Sequence, residues 1–284
     1  MNLLFRGLLD LIYPPRCQVC RRFDPRPFCR DCWESIELIQ PPVCRQCGAP
    51  LDPSATGPQA CNDCRSRQKS AIAWARSAGL YDGALQRAIL NLKYTGSRAL
   101  AIPLAGLLVE TIKNLDEEIA VCRSDTEVLG EWWGRASVKP AGGVHETPPP
   151  LIIHQNTCIN VFDAVCPVPL HPQRQKERGF NQSELLAKYL CETAGLKLDK
   201  TIIQRIRPTL PQVMLPPKER GRNVRGAFAL APAADVAAKR ILLIDDIHTT
   251  GSTLQECARV LQKGGAAAVC VLTLARPRPA WMAK

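Results

Sequence analysis

The segment from Ile241 to Thr253, ILLIDDIHTTGST, holds the densest set of groups that could do chemistry. Four apolar residues lead into two adjacent acids, Asp245 and Asp246, and the run closes on Thr249, Thr250, Gly251, Ser252 and Thr253. Carboxylates only accept hydrogen bonds, so they suit sugar hydroxyls or the waters around a Mg²⁺ ion and repel a phosphate placed on them. The hydroxyl-rich turn suits the group that the acids reject. Free N–H groups at a helix start, the positive end of its dipole and a glycine that lets backbone come close form a seat for a terminal phosphate. A phosphate with a vicinal diol beside it describes a ribose 5-phosphate unit. The spacing is not that of a Walker A loop, Gly-x-x-x-x-Gly-Lys-Ser/Thr, and no Gly-x-Gly-x-x-Gly dinucleotide fingerprint is present.

A second chemistry lies at the other end of the chain. Eight of the 14 cysteines precede residue 65 and form four Cys-x-x-Cys pairs: Cys17 and Cys20, Cys29 and Cys32, Cys44 and Cys47, Cys61 and Cys64. A pair on a tight knuckle presents two thiolates, and two knuckles complete the closed four-thiolate site of structural zinc, so four pairs imply two zinc ions. Sequential pairing, with Cys17, Cys20, Cys29 and Cys32 on one ion and Cys44, Cys47, Cys61 and Cys64 on the other, closes the shortest loops; an interleaved arrangement is the alternative. Disulfides are disfavoured in a cytosolic chain, and thioredoxin-like pairs need a strand-to-helix setting absent here. Cys122, Cys158, Cys166, Cys191, Cys257 and Cys270 stand singly and read as small buried hydrophobes.

Charge marks a third region. The net charge of +11 is concentrated in residues 165–225, where twelve basic residues face five acidic ones. Such a stretch fits a site for phosphate, pyrophosphate or a nucleic-acid backbone, or else a solvated basic surface. Phe180, Tyr189 and Phe228 are the few aromatics near it, which gives little support to a base-stacking groove.

These groups need elements to hold them. A chain of 284 residues, 46% hydrophobic and 22% charged, is neither disordered nor fibrous, and its apolar runs fall short of the ~18 residues of a membrane span. The opening MNLLFRGLLDLIYPP sets Arg6 and Asp10 in its apolar stretch and has no small-residue cleavage site, which argues against a secretory signal and for a cytoplasmic protein. Residues 1–70 read as a Pro- and Arg-rich module ordered by metal and not by a core. Residues 71–115 read as a helical hood or linker, with two amphipathic helices between Tyr81 and Thr111. Residues 116–156 lose periodicity and read as an irregular insertion. Residues 157–284 alternate: strand 161–170, helix 181–195, strand 200–206, a Pro- and Arg-rich loop 207–225, short strand 226–230, strand 240–247, helix 252–263 and strand 267–275. That order predicts an α/β fold, a parallel sheet with helices on both faces, with Asp245 and Asp246 at its carboxyl edge where open α/β sheets bind ligands.

An apolar strand, two acids, three residues and Thr-Gly-x-Thr resembles the phosphoribosyl-pyrophosphate signature of type I phosphoribosyltransferases. Nearly the whole chain, apart from residues 116–156, resembles the ComF/GntX family. The four knuckles, LNLKYTGSRALA (90–101), VPLHPQRQKERGFNQSELLA (168–187) and ILLIDDIHTTGST carry the likeness. It implies a type I phosphoribosyltransferase-like parallel sheet behind a double zinc ribbon, with structural Zn²⁺ in the ribbon and Mg²⁺ accompanying phosphoribosyl pyrophosphate. By analogy Asp245 and Asp246 are the catalytic acids and Thr249, Thr250, Gly251, Ser252 and Thr253 bind the 5-phosphate. Leu170 and His171, with Arg174 and Arg178 close behind, lie in the pyrophosphate loop. Residues 207–225, with Arg220, match the mobile loop that closes over substrate. Its cations would neutralise pyrophosphate leaving C1 of the ribose. His171 and His248 are given no proton-transfer role.

The family further implies a cytoplasmic part in natural transformation, handling single-stranded DNA beside a helicase and recombination proteins, and a looser association with gluconate use. Two functions follow. One is a binding module for phosphoribosyl pyrophosphate or a nucleotide in DNA uptake; the other is an active phosphoribosyltransferase with an unidentified acceptor. Thr249 stands where enzymes that salvage 6-oxopurines carry a carboxylate, which disfavours hypoxanthine or guanine as that acceptor.

Overall fold

The computed structural model describes residues 14–54, 60–66, 70–114 and 162–282. The expected insertion at 116–156, Cys122 and Cys158 lie outside them. A parallel four-stranded sheet runs in the order β1 (Trp74–Leu80), β6 (Ala268–Arg276), β5 (Arg240–Ile247), β2 (Ala164–Pro167). The apolar run Ile241–Ile244 is fully buried because both faces of the sheet are covered. On one face lie α3 (Gly83–Tyr94), α4 (Ala101–Lys113) and α6 (Gln182–Ala194), packed on Leu242, Ile244 and Leu272. Ile241, Leu243 and Val271 on the other face meet α8 (Ser252–Lys263).

The amphipathic pattern sets these helices. In α3, Leu85, Ile89 and Leu92 recur at helical spacing and are fully buried, and Asp82 caps the start by accepting from the Gly83 N–H. In α6, Asn181 accepts from the Ser183 N–H, and Gly195 ends the helix in the left-handed conformation at φ +67°.

The segment 71–115 contributes a strand as well as two helices: β1 pairs with β6 in parallel, Ala75 opposite Val271 and Gly79 opposite Ala275. The segments at 200–206 and 226–230 do not join the sheet. They shorten to β3 (Ile203–Arg205) and β4 (Phe228–Leu230), which pair antiparallel because the chain between them doubles back. That connection is also not all loop, since Pro217–Val224 forms helix α7 with proline in its first turn, where a missing N–H costs nothing.

The cysteine-rich region carries two short helices, α1 (Arg30–Glu34) and α2 (Asn62–Ser66). It is docked on the α/β body at three places. Cys17, Val19 and Phe28 are buried in the same cluster as Leu85 and Ile89 of α3, so this region does share a core, against the expectation that metal alone orders it. Residues between the two cysteine sets line the outer edge of β1, the Ile39 N–H donating to the Ala78 carbonyl at 3.0 Å and the Leu80 N–H to that of Glu37 at 2.9 Å. Lower on the same edge, the Ala75 N–H donates to the Gln46 carbonyl at 2.7 Å. An open sheet edge is thereby closed.

Candidate phosphate site and metal centres

Chain reversal after β5 builds the candidate phosphate site. His248 continues the strand, its N–H donating to the Ala275 carbonyl at 2.8 Å, and the backbone then turns through Gly251 at φ +72° into α8. A side chain at 251 would be strained in the left-handed region, and its Cβ would lie 2.6 Å from His248 Nε2. The hydroxyls of Thr250 and Ser252 lie 2.9 Å apart, and Thr250 Oγ1 accepts from the Ser252 N–H at 3.4 Å. Thr249 is exposed. Gln212 donates to Thr253 Oγ1, and a Cβ on Gly221 of α7 would sit 4.0 Å from Ser252 Oγ, so the 207–225 segment lies over this turn.

Both acids have partners within the chain. Ser183 Oγ donates to Asp245 Oδ1 at 2.9 Å, and so does the Asp246 N–H. Asp246 is buried and receives both Lys93 Nζ and Gln182 Nε2 at 2.9 Å on Oδ2. Burial, with the charge of Asp246 beside it, pushes the Asp245 carboxyl up to about 7. For Lys93 burial works to lower the pKa, but the charges and hydrogen bond of the acids outweigh it and the net shift is upward. Sequence reasoning missed Lys93, Gln182 and Ser183 as site residues, although all three fall inside LNLKYTGSRALA and the RGFNQSELLA portion of the motifs quoted above.

The remaining expected residues distribute unevenly. His171 caps α5 (Pro172–Arg178), its Nδ1 accepting from the Gln173 N–H at 3.3 Å, and Leu170 precedes it half-buried. Arg174 is exposed and paired with Glu177 at 3.3 Å. Arg178 donates to Gln182 and lies 5.4 Å from the Tyr94 ring centroid. Arg220 donates from Nε to the Leu215 carbonyl at 3.1 Å. Arg178 thus reaches the acids through Gln182, whereas the described contacts of Arg174 and Arg220 are local.

The eight knuckle cysteines gather as two sets, Cys17, Cys20, Cys29 and Cys32, and Cys44, Cys47, Cys61 and Cys64, the sulfurs of each set within 4.8 Å of one another. Pairing is sequential. Backbone N–H groups of Val19 and Cys29 donate to the Cys17 sulfur at 3.4 Å. Burial works to raise the Cys17 pKa, but these amides outweigh it and bring the thiol down to about 6. A hydrogen bond with Cys47, aided by amides, takes Cys44 to about 4. Thiols held so close, with amides aimed at them, fit a four-thiolate zinc site. The second set borders a cleft that it shares with His248 and Gln255, beside the turn at Gly251.

Residues 8–65 match the family model of the double zinc ribbon domain, and residues 178–284 match that of the phosphoribosyl transferase domain. DNA utilization protein YhgH of Salmonella typhimurium is 28% identical over 271 residues, 94% of this chain and 99% of that protein. Competence protein F of Haemophilus influenzae is 38% identical over 115 residues, 40% of this chain and 50% of the relative. Competence protein ComFC of Bacillus subtilis is 34% identical over 111 residues, 39% and 43% of the two chains. Against these last two, the match spans half of the relative or less. Among the described residues no helix is long and apolar enough to cross a membrane.

Proposed function

Starting from a chain that joins a double zinc ribbon to a phosphoribosyltransferase domain and has the ComF competence proteins among its relatives, we propose that it binds phosphoribosyl pyrophosphate or a related nucleotide and acts in the uptake or processing of single-stranded DNA. The observation that carries this reading is the turn after β5. There a left-handed glycine opens a twelve-residue helix beside two hydroxyls, six residues after a half-buried acid, Asp245. The helix N-terminus and hydroxyls of Thr249 to Thr253 hold the 5-phosphate, Asp245 accepts from the sugar diol, and Arg178, Arg174 and Arg220 face the pyrophosphate as the segment 207–225 settles over it. Mg²⁺ accompanies phosphoribosyl pyrophosphate by neutralising its pyrophosphate oxygens. The zinc ribbons brace the sheet edge and offer a docking surface for a helicase or recombination partner in the cytoplasm.

Binding is favoured over turnover because Asp246 is already engaged by Lys93 and Gln182, and because Thr249 replaces the acid that some transferases use. The alternative, an active transferase with an unidentified acceptor, releases pyrophosphate only when that acceptor is supplied. Calorimetric titration of the zinc-loaded protein with phosphoribosyl pyrophosphate and Mg²⁺ tests the reading. Saturable binding that is lost in Gly251→Val supports it, and no heat with any ribose 5-phosphate compound sinks it.

A further inference from the structure

Pleating sends successive side chains of a strand to opposite faces. In β5, Leu242 and Ile244 face α3, α4 and α6, whereas Ile241 and Leu243 face α8. Asp246 continues the first set and Asp245 the second. The two acids, adjacent in sequence, differ in their partners: Asp246 meets Lys93 and Gln182, whereas Asp245, on the α8 side by the pleat, accepts at the strand's end from Ser183 of α6. Asp246 is only 4% exposed and meets the ammonium of Lys93, on the last turn of α3, at 2.9 Å. The bonds to Asp245 both fall on Oδ1, and no described residue bonds its Oδ2. A buried carboxylate needs a compensating cation, and two neighbouring carboxylates need one more strongly. The chain provides that cation itself.

We propose that Lys93 is the resident cation of the acid pair: it holds Asp246 within the fold, leaves Asp245 alone to face the sugar, and lets the pocket take a ribose phosphate with no divalent metal at the acids. The idea rests on the ribose phosphate reading above and departs from what the family resemblance implies, two acids both turned to the ligand. Gln182 fits the same role, because its amide steadies Asp246 from one side while its carbonyl accepts from Arg178. With one acid locked, the remaining charge balance at the sugar is a single carboxylate against neutral hydroxyl donors, which requires no added ion.

The test uses ribose 5-phosphate, which carries no pyrophosphate to recruit Mg²⁺ on its own account, and full-length zinc-loaded protein in buffer freed of other divalent ions. For the wild type, added Mg²⁺ should change the dissociation constant by no more than about twofold. Lys93→Met should weaken binding by about tenfold or more, the scale of one charge-assisted contact. Mg²⁺ should recover part of that loss, and Lys93→Arg should retain most of the affinity. A wild type that binds only with Mg²⁺, or Lys93→Met binding like wild type, overturns the proposal. A thermal-melt cycle on Lys93→Met, Asp246→Asn and the double variant needs no ligand. Each single change should lower the melting temperature, and the double should lose less than their sum; additive losses also overturn it. If the cycle shows coupling while wild type binds no ribose phosphate, the ribose phosphate reading falls and Lys93 keeps its place beside Asp246.

Discussion

Asp245, six residues before Gly251, sits in an environment that opposes its charge. Its carboxyl titrates near 7 in the fold against an ordinary value of 3.8, because burial and the adjacent acid oppose its charge. Between those two pH values the folded chain keeps a proton that the unfolded chain has released, so stability falls as pH rises through the window. Asp245→Asn removes that dependence. Melting curves from pH 5 to pH 8 should show the wild type losing ground to the variant as pH rises, with the variant the more stable at pH 8; parallel curves would refute the account. On the proposed reading, ribose phosphate binding should show the opposite trend, since the ionised acid is the better acceptor for a sugar hydroxyl. The acid pair itself was legible in the sequence, two carboxylates at the end of an apolar run. Its partners were not, because Lys93 and Gln182 lie 153 and 64 positions from Asp246 and meet it only once α3 and α6 stack on one face of the sheet.

At the level of elements, β1 depends on the ribbon that covers it. Gly48 adopts φ +69°, and a Cβ there would stand 2.5 Å from the Ala75 carbonyl oxygen. Gly48→Ala should therefore lift the second ribbon off β1, lowering stability by roughly 1 to 3 kcal/mol in urea denaturation while both zinc ions stay bound. Unchanged stability would mean that the contact contributes little. Strand β1 itself escaped sequence reading because WARSAGL has no clean alternation. Both its faces are buried, and Arg76 donates to the Arg45 carbonyl at 2.9 Å, a pairing invisible to periodicity. The tetrapeptide Lys-Glu-Arg-Gly shows the same limit. At 176–179 it ends α5 with Gly179 at φ +80°, while at 218–221 the glycine lies inside α7. In the first copy Asn181 follows and caps a new helix. In the second Val224 follows and is buried against the core, which draws the helix onward. By contrast β5 and α8 were read to the residue, since a buried apolar strand and a hydroxyl-flanked glycine each signal locally.

Across the whole molecule, zinc should stabilise more than the ribbons. Phe28 and Val19 lie in the same buried cluster as Leu85, Ile89 and Leu92, and Phe28 meets Trp33 edge-on at 5.6 Å between ring centroids. Arg276 at the end of β6 donates to the Cys47 carbonyl at 2.6 Å, and Arg278 just beyond it reaches Glu37 and Asp82, so the carboxyl-terminal end of the sheet is tied to the second cysteine set and to the segment between the sets. Each four-thiolate set without its ion must either protonate or repel, and its knuckles then open. Exposing Phe28 and Val19 would remove roughly 3 to 6 kcal/mol from the shared core at about 1.5 to 3 kcal/mol for each buried apolar side chain. At 2 to 4 °C per kcal/mol for a body of this size, a strong chelator should lower the melting temperature of the α/β body by about 10 °C, in a transition seen equally by far-ultraviolet dichroism and by tryptophan fluorescence. Zinc release that leaves the melting of residues 162–282 in place would show the ribbons to be independent of the sheet that they cover. A coincident shift would make the ribbons part of the scaffold holding the turn at Gly251, since the cleft beside the second set is lined by His248 and Gln255 as well as by Cys47 and Cys64.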